Sequence, residues 1–383
     1  MRIAKDVITE WRRHIHMHPE ISGEEHDTAV YIAGLLREFG LEVTEGVGGY
    51  GVVGLLRGDD AYKCAALRAD MDALPITEIS RRRYKSQAAG AMHACGHDAH
   101  CAIVLGAAKM LAAQPPPGSV KFIFQPHEEQ KPGGARAMIA AGVLQQPQVD
   151  GIFAGHVTNL FPAGTFAVND GAMMAASDNF ELTLIGHGGH GAMPHQTVDV
   201  IAIAAQIIEA LQSIRSRRVD PLEPVVLTVG SIHGGSAHNI IPDRVDMTGT
   251  LRCFDLALRD QIVAYMEESI RDITHSWGAT YEFKMIYGYP PVINDHQLTL
   301  LLDQVVQQVS GTMLNDHPRP LTAGEDFAVY GQQVPAAFVF IGTGSDKCRE
   351  PWHHHSFDIE ECALPAAAQV LALAAQQLAG QKK

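Results

Sequence analysis

The chain has 383 residues, 46 % of them hydrophobic, with 29 basic against 43 acidic side chains and a formal charge of −14. That length exceeds one typical domain, and the acidic balance sets the overall field against nucleic acid as a partner. Six scattered cysteines form no C-x-x-C pair, the N-terminal MRIAKDVITEWRRH has no apolar core, and no run reads as a membrane span, so the expectation is a soluble protein of the reducing cytoplasm with free thiols.

In chain order, Ser22-Gly23-Glu24-Glu25 reads as a capping box opening a helix with Val30, Ala33, Leu36 and Phe39 on its apolar face and Gly40 at its end. Val52 to Leu56 and Cys64 to Arg68 are short apolar runs that suit buried strands, the second followed by Asp70 and Asp72. The Gly46 to Gly51 run matches G-x-G-x-x-G but precedes a strand instead of a helix, which makes it a hairpin turn. A helix over 98–113, a strand over 120–124 and a helix over 133–141 follow, an alternation that predicts an α/β domain with a mainly parallel sheet. From Asn179 the order becomes β-α-β-β-α-β, the split ferredoxin-like unit. After Pro290-Pro291 the α/β pattern returns, with a helix near 298–309, a strand over 337–341 and a terminal helix from about Pro365. The predicted organisation is a discontinuous domain, 1–178 and 291–383, interrupted by an inserted domain, 179–290.

Met92-His93-Ala94-Cys95-Gly96-His97-Asp98-Ala99-His100 gathers a thiol and three imidazoles in one loop entering a helix, a donor set suited to a transition metal. Gln125-Pro126-His127-Glu128-Glu129 follows an apolar strand at its carboxyl end, where ligands of open α/β sheets bind. Of two adjacent acids, one can ligate a cation while its neighbour removes a proton from water that the cation activates; a solvated acidic pair opening a helix is the plain alternative. His156 also follows an apolar run, and His353-His354-His355 follows Pro351-Trp352. In the inserted unit, Gly186 to His195 carries three histidines among glycines, a pattern equally consistent with ligand contact and with a flexible loop.

These motifs, together with H-x-H-x-H-P-E at His14 to Glu20 and Arg68-Ala69-Asp70-Met71-Asp72-Ala73-Leu74-Pro75, resemble the metal-dependent aminoacylase and carboxypeptidase family of metallopeptidases, amidohydrolase branch. The resemblance runs in order over nearly the whole chain. It implies an α/β metallopeptidase (phosphorylase/hydrolase-like) catalytic domain with an inserted ferredoxin-like α+β lid and dimerisation domain, and assembly as a homodimer or homotetramer. It implies two divalent ions, Zn2+ or Mn2+ first and Co2+ or Ni2+ as alternatives. Cys95 would bridge them, His97 and His156 would bind one side, and Glu129 and His353 the other. Within the triple histidine the resemblance implies His353, because in this branch the ligand precedes an aromatic by four positions, as His353 precedes Phe357, with His354 as the alternative. Glu128 would be the general base, His190 the hydrogen-bond donor to a developing oxyanion, and Asn239 and Arg252 the holders of the substrate's carboxylate end.

The implied activity is hydrolysis of the amide bond of N-acyl amino acids, with a dipeptidase or carboxypeptidase, or a non-catalytic metal- or amino-acid-binding subunit, as alternatives. Departures from the branch are His127, where Ala is more frequent, His238, where Phe is frequent, and Gln130-Lys131-Pro132 in place of part of a glycine-rich run. They point to an altered substrate pocket.

Overall fold

The computed structural model describes every residue except Arg2 and divides the chain into two compact units. One comprises Met1–Met173, Ile293–Pro320 and Asp326–Lys383; the other comprises Met174–Val292 and Leu321–Glu325. The seams therefore lie at 173/174 and 292/293 rather than at 178/179 and 290/291. Leu321–Glu325 departs further from the expected division, because the Ala175 amide donates to the carbonyls of Leu321 and Ala323 at 3.0 and 3.1 Å.

The first unit opens with helices α1 (Lys5–Met17) and α2 (His26–Glu38), then a β1 (Glu42–Val47) and β2 (Gly51–Leu56) hairpin closed by the glycine run. β3 (Ala65–Asp70), α3 (His97–Ala113), β4 (Val120–Gln125), α4 (Gly134–Ala140), β5 (Gly151–Pro162) and β6 (Thr165–Ala167) follow. Its eight-stranded sheet runs β1-β2-β4-β3-β5, then Ala336–Gly344, β6 and Met313–Asn315. The middle, from β4 through β3 and β5 to Ala336–Gly344, is parallel, whereas β1, β2 and β6 join antiparallel, so the sheet is mixed with a parallel centre. β3 and β4 are buried at every position, as strands covered on both faces require.

α3 is buried almost all round, which marks it as a core helix between the sheet, α1 and the terminal helix Leu364–Ala379. Among the described residues one helical stretch, Glu361–Ala379, is long and apolar enough to cross a membrane, contrary to the expectation that no run reads as a span. Ten residues of Leu364–Ala379 are buried against this core, which accounts for its composition.

The expected capping box does not form. Helix α2 starts at His26, and the Glu20 carboxylate accepts from the Asp27 and Thr28 amides at 3.0 and 2.7 Å. Ser22 and Glu25 are engaged elsewhere: the Ser22 hydroxyl donates to Asp72 Oδ2 at 2.6 Å, and Glu25 Oε1 accepts from the His127 amide at 2.8 Å. Tertiary partners outcompeted the local motif. Val30, assigned to the apolar face, is 52 % exposed, while Ala33 and Leu36 are fully buried.

The second unit has the strand-helix-strand-strand-helix-strand order Ala176–Ile185, Val200–Arg217, Val226–Gly234, Arg244–Cys253, Leu256–Trp277 and Thr280–Tyr289. Its four-stranded antiparallel sheet is ordered second, third, first and fourth strand, the split ferredoxin-like arrangement. Asp199 and Asp255 cap the two helices through their carboxylates. Apolar side chains at helical spacing, Ile203, Ile207, Leu211 and Ile214 with Ile262, Met266 and Ile270, cover one sheet face.

Candidate metal centre

Strand ends and one helix start bring the candidate metal-ligating side chains together. Cys95 and His97 flank Gly96, which precedes α3 with φ +96°; a Cβ there would lie 2.3 Å from Val157 Cγ2, so only glycine lets the loop lie against β5. His156 sits inside β5, not beyond its end, because the strand continues to Pro162. Glu128 and Glu129 follow β4, as expected. His353 has φ +64° and its amide donates to Ala94 O at 2.8 Å, which fastens its segment beside Cys95.

The ligand atoms of Cys95, His97 and His156 lie within 4.8 Å of one another, as do those of Cys95, Glu129 and His353, and those of His97, Glu128 and Glu129. Cys95 thus belongs to two groups. Cys95 Sγ is 3.5 Å from His156 Nε2, and Glu129 Oε1 is 3.8 Å from His97 Nε2 and 3.5 Å from His353 Nε2. His354 instead directs Nδ1 towards Glu350 Oε2, 3.5 Å away.

The surrounding residues orient these rings, and the sequence reading gave several of them no role. His97 Nδ1–H donates to Asp72 O at 2.9 Å, with Asp72 Oδ1 3.3 Å away, which leaves Nε2 as the donor atom for a cation. His156 Nδ1–H donates to Val157 O at 2.9 Å, as does the Trp352 indole at 2.8 Å, so a neighbour of His353 also packs on His156. His100 is a support: Nδ1–H donates to Asp70 Oδ1 at 2.6 Å and Nε2 accepts from the Val157 amide at 2.9 Å. Arg68 binds Asp70 Oδ2, Asp326 Oδ1 and Gln125 Oε1 beneath them. The available signal was Asp70 and Asp72 at the carboxyl end of a strand, together with the habit of ligating histidines to lean on a carboxylate or carbonyl.

The electrostatics favour a cation. Burial opposes charge on His97, yet Asp70, Asp72 and Glu129 outweigh it and push its pKa up to about 10. Burial, reinforced by Glu129, Glu128 and Asp70, holds the Cys95 thiol well above its ordinary value, so a positive ion is what would favour the thiolate. Burial and His100 keep His156 neutral, the form that ligates. His97 Nε2 and Glu129 Oε1 are buried without hydrogen-bond partners. Sulfur, nitrogen and carboxylate donors with these orphaned atoms fit divalent transition ions.

In the second unit, His190 pairs with Ile240 in a short two-stranded ladder, its Nδ1 accepts from the Ala192 amide at 3.0 Å, and Asn239 O accepts from the Gly191 amide at 2.8 Å. Strand pairing thus brings His190 and Asn239 together. Arg252, half-buried on its strand, donates Nη1 to Asp178 O at 2.9 Å. His127 has φ +62°, and a Cβ on Gly23 would lie 3.6 Å from its Nδ1, so its ring packs over that glycine. His238 is exposed.

The family model for peptidase family M20/M25/M40 matches residues 66–377, most of the chain. The chain belongs to this family. Among M20 relatives it is 40 % identical over 378 residues to thermostable carboxypeptidase 2 of Saccharolobus solfataricus, covering 97 % of this chain and 95 % of that one. It is 46 % identical over 295 residues to an N-acyl-L-amino acid amidohydrolase of Geobacillus stearothermophilus, covering 76 % and 79 %. A solved dinuclear metal binding peptidase from Bacillus subtilis superposes with a TM-score of 0.87 at 34 % identity, covering 98 % and 99 %. The family resemblance, the M20 fold and the class of metal-dependent hydrolase acting on amides are thereby borne out.

Proposed function

We propose that this M20 hydrolase cleaves the amide bond of N-acyl amino acids, with an acetyl, benzoyl or other alkyl or aryl acyl group, to a carboxylic acid and a free amino acid. The observation that carries this reading is the convergence of five potential ligands, Cys95, His97, His156, Glu129 and His353, with a buried acid, Glu128, at one sheet end. The 46 % identical N-acyl-L-amino acid amidohydrolase supports the substrate class.

In this reading Cys95, His97, His156, Glu129 and His353 would hold two divalent ions, with Cys95 common to both groups of ligands, His97 and His156 on one side and Glu129 and His353 on the other; Zn2+ or Mn2+ would suit the set, with Co2+ or Ni2+ next. When bound, the ions acidify water and polarise the scissile carbonyl. Glu128 accepts the proton from the attacking water and returns it to the departing amine. His190 donates a hydrogen bond to the developing oxyanion. Asn239 and Arg252 hold the substrate carboxylate, and the second unit acts as lid and dimerisation domain, giving a homodimer or homotetramer. The six free cysteines support a cytoplasmic setting.

The 40 % identical carboxypeptidase favours a second reading, removal of C-terminal residues from peptides. Metal-loaded protein incubated with N-acetyl and N-benzoyl amino acids, dipeptides and blocked peptides separates the two. Release of free amino acid from the N-acyl set at the higher kcat/KM is expected. Preference for peptides would replace the proposal by the carboxypeptidase reading, and no turnover by fully loaded protein would overturn both.

A further inference from the structure

We propose that Glu25 is a positioning residue for Glu128, acting through the backbone of the loop that carries it. The inference rests on the reading of Glu128 as general base. Glu128 lies between two peptide units whose amides both donate to buried carboxylates. The His127 amide reaches Glu25 Oε1 at 2.8 Å, and the Glu129 amide reaches Asp72 Oδ2 at 3.0 Å. The loop is thus gripped immediately before and immediately after the proposed base.

The first grip holds a residue that would not keep its conformation unaided. His127 has φ +62°, uncommon for a residue other than glycine, and such backbone persists only where its surroundings over-determine it. A carboxylate accepting its N–H supplies a charge-assisted hydrogen bond at that point, and its carbonyl accepts from the Gly134 amide at 2.9 Å.

Glu25 has no evident task in its own helix. It stands directly before α2, yet Glu20 accepts from the first amides of that helix. Glu25 is fully buried, its Oε1 also accepts from the Gly23 amide at 2.9 Å, and its Oε2 has no hydrogen-bond partner. A buried carboxylate in that condition costs stability. The return is the grip on His127, reinforced by Ser22, whose hydroxyl donates to Asp72, the other holder of the loop. The segment from Glu20 to Glu25 therefore works as a bracket behind Glu128.

The test uses metal-loaded full-length protein, an N-acyl amino acid that it turns over, and the variants E25M, E25Q, E128Q and E25M/E128Q. Methionine keeps the length of the side chain and removes the acceptor; glutamine keeps an oxygen for both amides. E25M is expected to lower kcat by about 10- to 100-fold, the scale of a misplacement near 1 Å. KM should stay within about twofold, metal content should be unchanged, and E25Q should recover most of the loss. The double variant should be no slower than E128Q alone, because both changes act through one group. Wild-type kcat in E25M, additive losses in the double variant, or a loss that follows metal content would each overturn the proposal. Wild-type turnover in E128Q would instead overturn the base assignment itself. If E25M does not fold, E25D, which withdraws the carboxylate by one methylene, carries the same readings.

Discussion

Two stretches of this chain look alike on paper: Met92 to His100 holds three histidines and a cysteine, and Gly186 to His195 holds three histidines among glycines. The structure treats them in opposite ways. His93, His97 and His100 are buried, and His97 and His100 lean on Asp72 and Asp70, whereas His187, His190 and His195 are exposed. A ligating histidine needs its second nitrogen fixed and its charge controlled, which burial beside carboxylates provides. A histidine that meets a substrate needs access, which an exposed loop provides.

The sharpest way to break this contrast is to remove one histidine from each stretch. His97→Ala should lose bound metal by elemental analysis and turnover with it. His190→Ala should keep the metal and the melting temperature while kcat falls by about 10²–10³-fold, the scale for removing an oxyanion donor. Metal lost from the second variant, or fully retained in the first, would dissolve the distinction. Next in size, Asp72→Asn should weaken metal affinity by about 10- to 100-fold in a competition titration with a chelator, the range for a group that orients a ligating histidine. Undiminished affinity would leave the orientation of His97 to the Asp72 carbonyl, and the Asp72 carboxylate only its bonds to Ser22 and the Glu129 amide.

The smallest effect lies away from the centre. Burial opposes ionisation of Glu78, but His16, the Ser80 hydroxyl and the Ser86 amide outweigh it and bring its pKa down to about 2 from 4.5. The folded value lies below the unfolded one, so the stabilisation is complete above about pH 4.5 and is lost as pH falls through about 2. The melting-temperature gap between wild type and Glu78→Gln should be widest above pH 4.5 and close towards pH 2. A gap that does not change with pH would show that the lost contacts, not the charge, carry the effect.

The βαββαβ order of the second unit was legible because its helices and strands keep their periods, as Ile203, Ile207, Leu211 and Ile214 show. The clustering of Cys95 with Glu129 and His353 was reached only through the family motif, since no local pattern encodes contacts across more than two hundred residues. Ser22 and Glu25 mark the limit most clearly. Their spacing satisfies a capping box, yet Asp72 and the His127 amide, distant in sequence, claim both side chains. The support of Val157 by His100 was equally hidden, because it joins a side chain on one element to a backbone amide on another.

Gly96 also bears on how such a centre could change over generations. A methyl group there would push into Val157, whose amide is held by His100 and whose carbonyl is shared by His156 and Trp352. One added carbon would therefore disturb the seats of several candidate ligands at once. In a mutagenised library selected for activity, position 96 should be among the least permissive sites, and any survivor carrying a side chain there should need a smaller residue at 157.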